Sequence, residues 1–203
     1  MSWNGGRILC ARGAKEITHL RCSLPARAAN PEVLGVTEVS AGSVGLAERL
    51  IETTDWGSYR QLQGVSAADV GQVVMSLLKS DLDSVDTAED SLENRIAPQA
   101  NLYSAAEPAV SVLAASLADP RPRWVRIAVL ELTFLILSGA PVRDEVERGN
   151  GALLERCIAR VRESLWLIVR EALTDATCYE AALDVLDIVD PGGTANELVR
   201  SIR

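Results

Sequence analysis

From Val44 onward the apolar positions recur every three or four residues, and the interruptions fall at Gly, Pro and Asp. VGLAERLIETT (44–54) predicts a short first helix. DWGSYRQLQG (55–64) predicts a second, capped by Asp55 and ended by Gly64. Three longer helix pairs follow. In the first, Ser66 and Asp69 form a candidate N-terminal cap before VGQVVMSLLKS (70–80). Its partner is DSVDTAEDSLENRI (83–96), where Val85, Ala88, Leu92 and Ile96 recur at spacings of three, four and four, one face of an α-helix. That pattern must stop at Ile96, because Pro98 disfavours helical backbone at Ala97 and has no N–H to donate.

The second pair begins at Pro108, which suits a first helical turn, and runs through AVSVLAASLA (109–118). After the corner Asp119-Pro120-Arg121-Pro122 comes RWVRIAVLELTFLILSG (123–139), apolar nearly all round and therefore expected to be the most buried helix. The third pair opens with ALLERCIARVRESLWLIVREAL (152–173), read as one long helix with an apolar stripe from Leu154 to Ala172. Asp175 is the expected cap of YEAALDVLDIV (179–189), Pro191-Gly192-Gly193 the stop, and Thr194 the cap of a terminal helix, ANELVRSI (195–202).

Residues 1–42 show no sustained period and read as a poorly ordered N-terminal extension, with RILCARG and VLGVTEV as isolated candidate strands. The organisation expected is this irregular arm followed by a helical repeat domain over 43–203. Composition supports the helical reading: 48% of residues are apolar but only 4% aromatic, so the core must be aliphatic.

The second helices align with one another. Asp81, Asp119 and Asp175 stand in the corner before each, Ala88, Ala128 and Ala182 follow, and Leu92, Leu132 and Leu186 come four residues later. A helix pair recurring at roughly 40 residues is the signature of an α-solenoid. These features resemble the HEAT-repeat family, as do Pro108 in a first helix and Arg126 after Asp119. The resemblance implies an all-α fold, a short right-handed HEAT-like α-solenoid of antiparallel helix pairs, in which Asp and Arg ladders tie repeats together. Only the middle repeat carries both residues, since Asp86 and Glu180 stand at the Arg position elsewhere.

Residues 55–140 also resemble a group of small bacterial HEAT-like proteins. Their pattern is matched by Trp56, Tyr59, Leu92, Ile96, Gln99, Leu102, Tyr103, Ala105, Ala106, Ala109 and Val110, with Ala100 where Gly is usual. Some members look like immunity partners of secreted toxins, which implies an interaction role.

Charge narrows the function. Net charge is −8, and the portion after residue 42 carries 15 basic and 25 acidic residues. Such a body repels nucleic acid and anionic membranes and attracts a basic partner. The longest apolar stretch, Ile127–Leu137, is interrupted by Glu131 and is far shorter than the roughly 20 residues a span requires. Neither a secretory signal nor a membrane span is expected, and the four cysteines, widely spaced, read as idle thiols of a cytoplasmic protein.

Catalytic sets are missing from the pattern. His19 is the single histidine and falls in the irregular arm, so the helical body has no imidazole base; no phosphate loop or Cys/His metal spacing occurs. GNGALLER (149–156) could hold an anion but reads as a plain turn. The expectation is a protein that is not an enzyme and takes no cofactor.

Two surfaces are candidate partner-binding sites. Asp81, Asp83, Asp86, Glu89, Asp90 and Glu93 form the densest acidic cluster, and Asp83, Asp86, Asp90 and Glu93 fall on one stripe suited to a basic protein, a toxin being one candidate. The corner APQANLYSAAE (97–107) offers Gln99, Asn101 and Tyr103 at a helix junction. Their bland alternatives are a solvated acidic face, a Gln99 that caps the kink and a Tyr103 packed between repeats. Glu131, on the flank of an apolar helix, reads either as a perturbed acid or as the partner of an edge Arg. Self-association into a homodimer, or an enzyme working through Glu131 or the 81–93 acids, are the alternatives.

Overall fold

The computed structural model describes residues 44–202. The arm expected over 1–42, with its candidate strands, His19, Cys10 and Cys22, lies outside the described residues. Within them the protein is all-α, with ten α-helices and one two-residue parallel β pair. The helices are α1 (Leu46–Thr53), α2 (Val70–Leu78), α3 (Val85–Ile96), α4 (Ala106–Ser116), α5 (Arg123–Leu137), α6 (Arg143–Glu147), α7 (Leu153–Arg162), α8 (Leu165–Thr174), α9 (Tyr179–Val189) and α10 (Thr194–Ser201).

Consecutive helices pair as the periodicity implies: α2 packs on α3, α4 on α5, and α8 on α9. Across pairs, α3 lies against α5 and α5 against α9, while α2 lies against α4 and α4 against α7. The repeated small-large register explains the first row. Leu92, Leu132 and Leu186 are fully buried, as are Ala128 and Ala182, so short side chains let the helices approach and leucines fill the grooves beside them.

Several local expectations are corrected. DWGSYRQLQG is not a helix but two single 3-10 turns, Trp56–Ser58 and Leu62–Gly64. The chain turns there because Trp56 is drawn inward: its Nε1 donates to the Ile51 carbonyl at 3.0 Å, and its ring lies where a Cβ on Gly71 would come within 2.5 Å. The long helix expected over 152–173 breaks at Glu163–Ser164 into α7 and α8, which lets α7 seat on α4 and α8 on α9 and α10. Its stripe survives the break, with Cys157, Val161, Ile168, Val169 and Ala172 all buried. The short helix α6 had no periodic signal to announce it.

The most buried helix is α4, not α5. Nine of the eleven residues of α4 are buried, against eight of fifteen in α5. The Ala, Val and Ser side chains of α4 are small enough to be wedged among α1, α2, α5 and α7, whereas α5 leaves Phe134 and Glu131 facing outward.

Capping differs too. Asp69 does not cap α2; its carboxylate takes Arg95 from α3 and accepts from Gln61 Nε2 at 2.8 Å. Asp175 does not cap α9 but accepts from the Thr177 amide and hydroxyl and from Arg126. The acceptor at the start of α10 is Asp190, whose Oδ2 takes the amides of Ala195 and Asn196, rather than Thr194.

Arg126 on α5 reaches forward to the next pair, to Glu171 at 2.5 Å and to Asp175 at 2.7 Å. Glu171 is 1% exposed, so its charge depends on this fork and on Arg170. Asp119 turns instead to Arg121, which bridges to Glu48 of α1 at 2.7 Å.

Candidate functional site: an acidic face on α3 and α5

The corner that ends α3 positions this face. Ala97 leaves the helix at φ −148°, Pro98 opens a 3-10 turn, and Gln99 and Ala100 both take positive φ, 52° and 60°. Ala100 therefore holds a left-handed backbone that glycine adopts without penalty. Asn101 and Leu102 then pair in parallel with Ala140 and Pro141. Gly139 permits that approach, because a Cβ on it would lie 2.6 Å from the Ala100 carbonyl oxygen.

Of the corner residues, Gln99 and Asn101 are exposed and Tyr103 is half-buried. The kink is capped by Asn101, whose Nδ2 donates to the Pro98 carbonyl at 3.2 Å, and not by the Gln99 side chain. Nothing in the geometry joins these three to the acidic stripe as one site.

The stripe residues do not all stand alike on α3. Asp86 and Asp90 are exposed on α3 and Glu93 is half-buried, while Asp83 lies ahead of the helix in an exposed turn. The central member is Glu89. Four residues after Val85 and three before Leu92, it shares the inward face of α3 and is turned toward α5. Burial pushes its carboxyl up to about 7, with Glu131 on α5 the next cause and Asp86, Asp90 and Glu93 behind it. Glu131, though it faces outward, is raised as well, by the partial loss of water where α5 meets α3 and then by Asp86. The edge Arg expected for Glu131 is not there; the neighbours it meets are acids.

None of Asp83, Asp86, Glu89, Asp90, Glu93 and Glu131 has an ion-pair partner among the described residues. Elsewhere several acids are matched closely: Glu48 with Arg121, Glu107 with Arg156, Glu171 with Arg126 and Asp187 with Arg200, all at 2.5–2.7 Å. The face therefore carries concentrated, self-repelling negative charge. Among the described residues no group of three or more His, Cys, Asp or Glu is arranged to hold a metal ion.

The two described thiols, Cys157 and Cys178, are free and buried; burial pushes Cys157 up to about 12 and raises Cys178 as well, which disfavours the thiolate at both. Among the described residues no helix is long and apolar enough to cross a membrane.

Comparison of the chain with family models, with curated proteins and with solved structures finds no match.

Proposed function

We propose that this protein is a non-catalytic interaction module, a short right-handed HEAT-like α-solenoid whose acidic α3–α5 face binds a basic protein partner. Neutralisation of a toxin, in the manner of an immunity protein, is the specific form this reading takes in the cytoplasm. The observation that carries it is the gathering of six carboxylates on and beside α3, none with a cation among the described residues, while Glu48, Glu107 and Glu171 elsewhere are each paired with arginine. Such a face steers and holds a cationic surface and gains most when water is expelled from it. The helix pairing and the forward Arg126–Asp175 bridge support the solenoid part of the reading. Gln99, Asn101 and Tyr103 would extend the surface at its corner.

The test uses tagged protein on host lysate at low salt with stepwise salt elution, beside an Asp86→Lys/Asp90→Lys variant. Both positions are exposed, so the fold should be retained. A basic partner that elutes at a defined salt step from the parent and is lost from the variant is the expected result. Binding that survives both charge reversals would refute the reading.

Self-association is the second reading. Trp166, Leu173 and Leu198 stand 61%, 42% and 39% exposed on α8 and α10. Sedimentation at two concentrations decides it, a concentration-independent monomer ruling it out.

A further inference from the structure

We infer that the protein carries a second, cationic site that binds the oxyanion head of a small organic anion, independent of the acidic face. A cavity of about 260 Å3 is lined by Tyr59, Arg60, Ser104, Arg148, Asn150 and Arg156, among others. These residues come from the turn after α1, the turn before α4, the loop after α6, and α7. Three guanidinium groups thus meet at one small concavity in a chain whose net charge is −8.

Two of the three have no acid of their own. Arg60 and Arg148 make no ion pair and no side-chain hydrogen bond among the described residues. Arg156 is held in place: Nε donates to Glu107 at 2.7 Å and Nη2 to Asn150 Oδ1 at 3.4 Å. Glu107 stands on the wall as a negative group, but it is shared between Arg156 and Arg160. The local balance therefore remains positive.

The wall is supported from behind. Glu145 is 2% exposed and has no cation; its Oε2 accepts from Asn150 Nδ2 at 2.6 Å and its Oε1 from the Ser104 amide at 3.2 Å. A buried carboxylate is costly, and this one fixes two residues that line the cavity. Ser104 Oγ in turn accepts the Arg60 amide at 3.0 Å. Ser104, Asn150 and Arg156 are thus prepositioned, and the unengaged Arg60 and Arg148 forks are available to close on an oxyanion. This loop includes Gly149, whose φ of +90° gives the turn expected of GNGALLER, and the flanking Arg148, Asn150 and Arg156 supply its anion chemistry.

The cavity adjoins a larger one of about 620 Å3, with which it shares Ser58, Tyr59 and Glu107. Leu46, Leu50, Pro108, Val112 and Ala115 give that neighbour an apolar side. A ligand that fills both has a phosphate or carboxylate head among the arginines and a short apolar body along α1 and α4.

The experiment is an NMR titration of the full chain with three probes: inorganic phosphate, hexyl phosphate and hexanoate. Saturable shifts of the Ser104 and Asn150 amides are expected, with a dissociation constant near or below about 1 mM for at least one hexyl probe and weaker binding of inorganic phosphate. Tighter hexyl phosphate assigns a phosphate head; tighter hexanoate assigns a carboxylate. Arg60→Ala/Arg148→Ala should weaken binding on the order of tenfold or more. Should that variant fail to fold, Arg148→Glu alone, at an exposed position, carries the same test. The inference is overturned if no probe saturates by about 10 mM, if the arginine variants bind like the parent, or if inorganic phosphate binds as well as both hexyl probes.

Discussion

Glu89→Gln should make the protein more stable, and only above acidic pH. The Glu89 carboxyl is raised from its ordinary value of 4.5 to about 7 by burial and by the acids around it, Glu131 first. The folded state then holds a proton that the unfolded state has released, so stability falls as pH rises from about 4.5 to about 7 and is level beyond. At about 1.4 kcal/mol per pH unit the full linkage is about 3.5 kcal/mol, and solvent screening of a half-buried group brings it to about 1–2 kcal/mol. Glutamine keeps the shape and removes the charge at every pH. Urea denaturation analysed by linear extrapolation should show the variant about 1–2 kcal/mol more stable than the parent near pH 8 and equal to it near pH 4. Its melting temperature near pH 8 should rise by about 2–8 °C. A variant destabilised at both pH values would refute the reasoning, for it would mean that Glu89 serves the fold as an ionised group.

Two further perturbations test other parts of the structure. Arg126→Ala removes the cation on one oxygen of buried Glu171 while Arg170 keeps the other engaged, so a loss of about 2–3 kcal/mol is expected in the same denaturation assay, and no loss would mean the α5–α8 bridge is idle. Ala100→Gly relieves a φ of +60° and should stabilise by about 0.5–1 kcal/mol, read as a higher melting temperature; a lower one would show that the turn is not left-handed there.

The helices were legible because their signals are local. Apolar spacing places α3, and Pro98 ends it at Ile96. The Ala-Leu register finds the residues that α5 and α9 bury. What the spacing could not show is where side chains go once helices meet. Asp69, Asp175 and Thr194 each stand where a cap belongs, yet the two acids are taken by arginines far along the chain and Thr194 yields to Asp190. Glu89 was countable as an acid but its importance was not, because it depends on Glu131 arriving from another helix. A signal did exist: Glu89 falls on the same face as Val85, Leu92 and Ile96. The arginine cavity draws on four separate segments, and although the 97–107 corner and the Gly149 turn were each visible in the sequence, nothing local showed that they meet.

The α3 acids are not what an ordinary solvated helix face would contain. Asp86 with Asp90, and Glu89 with Glu93, are like charges at i and i+4, and Asp86 with Glu89 and Asp90 with Glu93 are like charges at i and i+3. Each such pair disfavours the helix by about 0.2–0.5 kcal/mol, where a Lys or Arg at one site would have favoured it. Arginine is plentiful in this chain and is placed against Glu48, Glu107, Glu171 and Asp187, yet none among the described residues pairs with this stripe. Glu131 adds a further acid from the packed helix rather than a cation. Stability alone would not select that arrangement. A basic partner would reverse the sign of every one of these terms at once, so the same substitutions that stabilise the free protein, Glu89→Gln foremost, should weaken the complex.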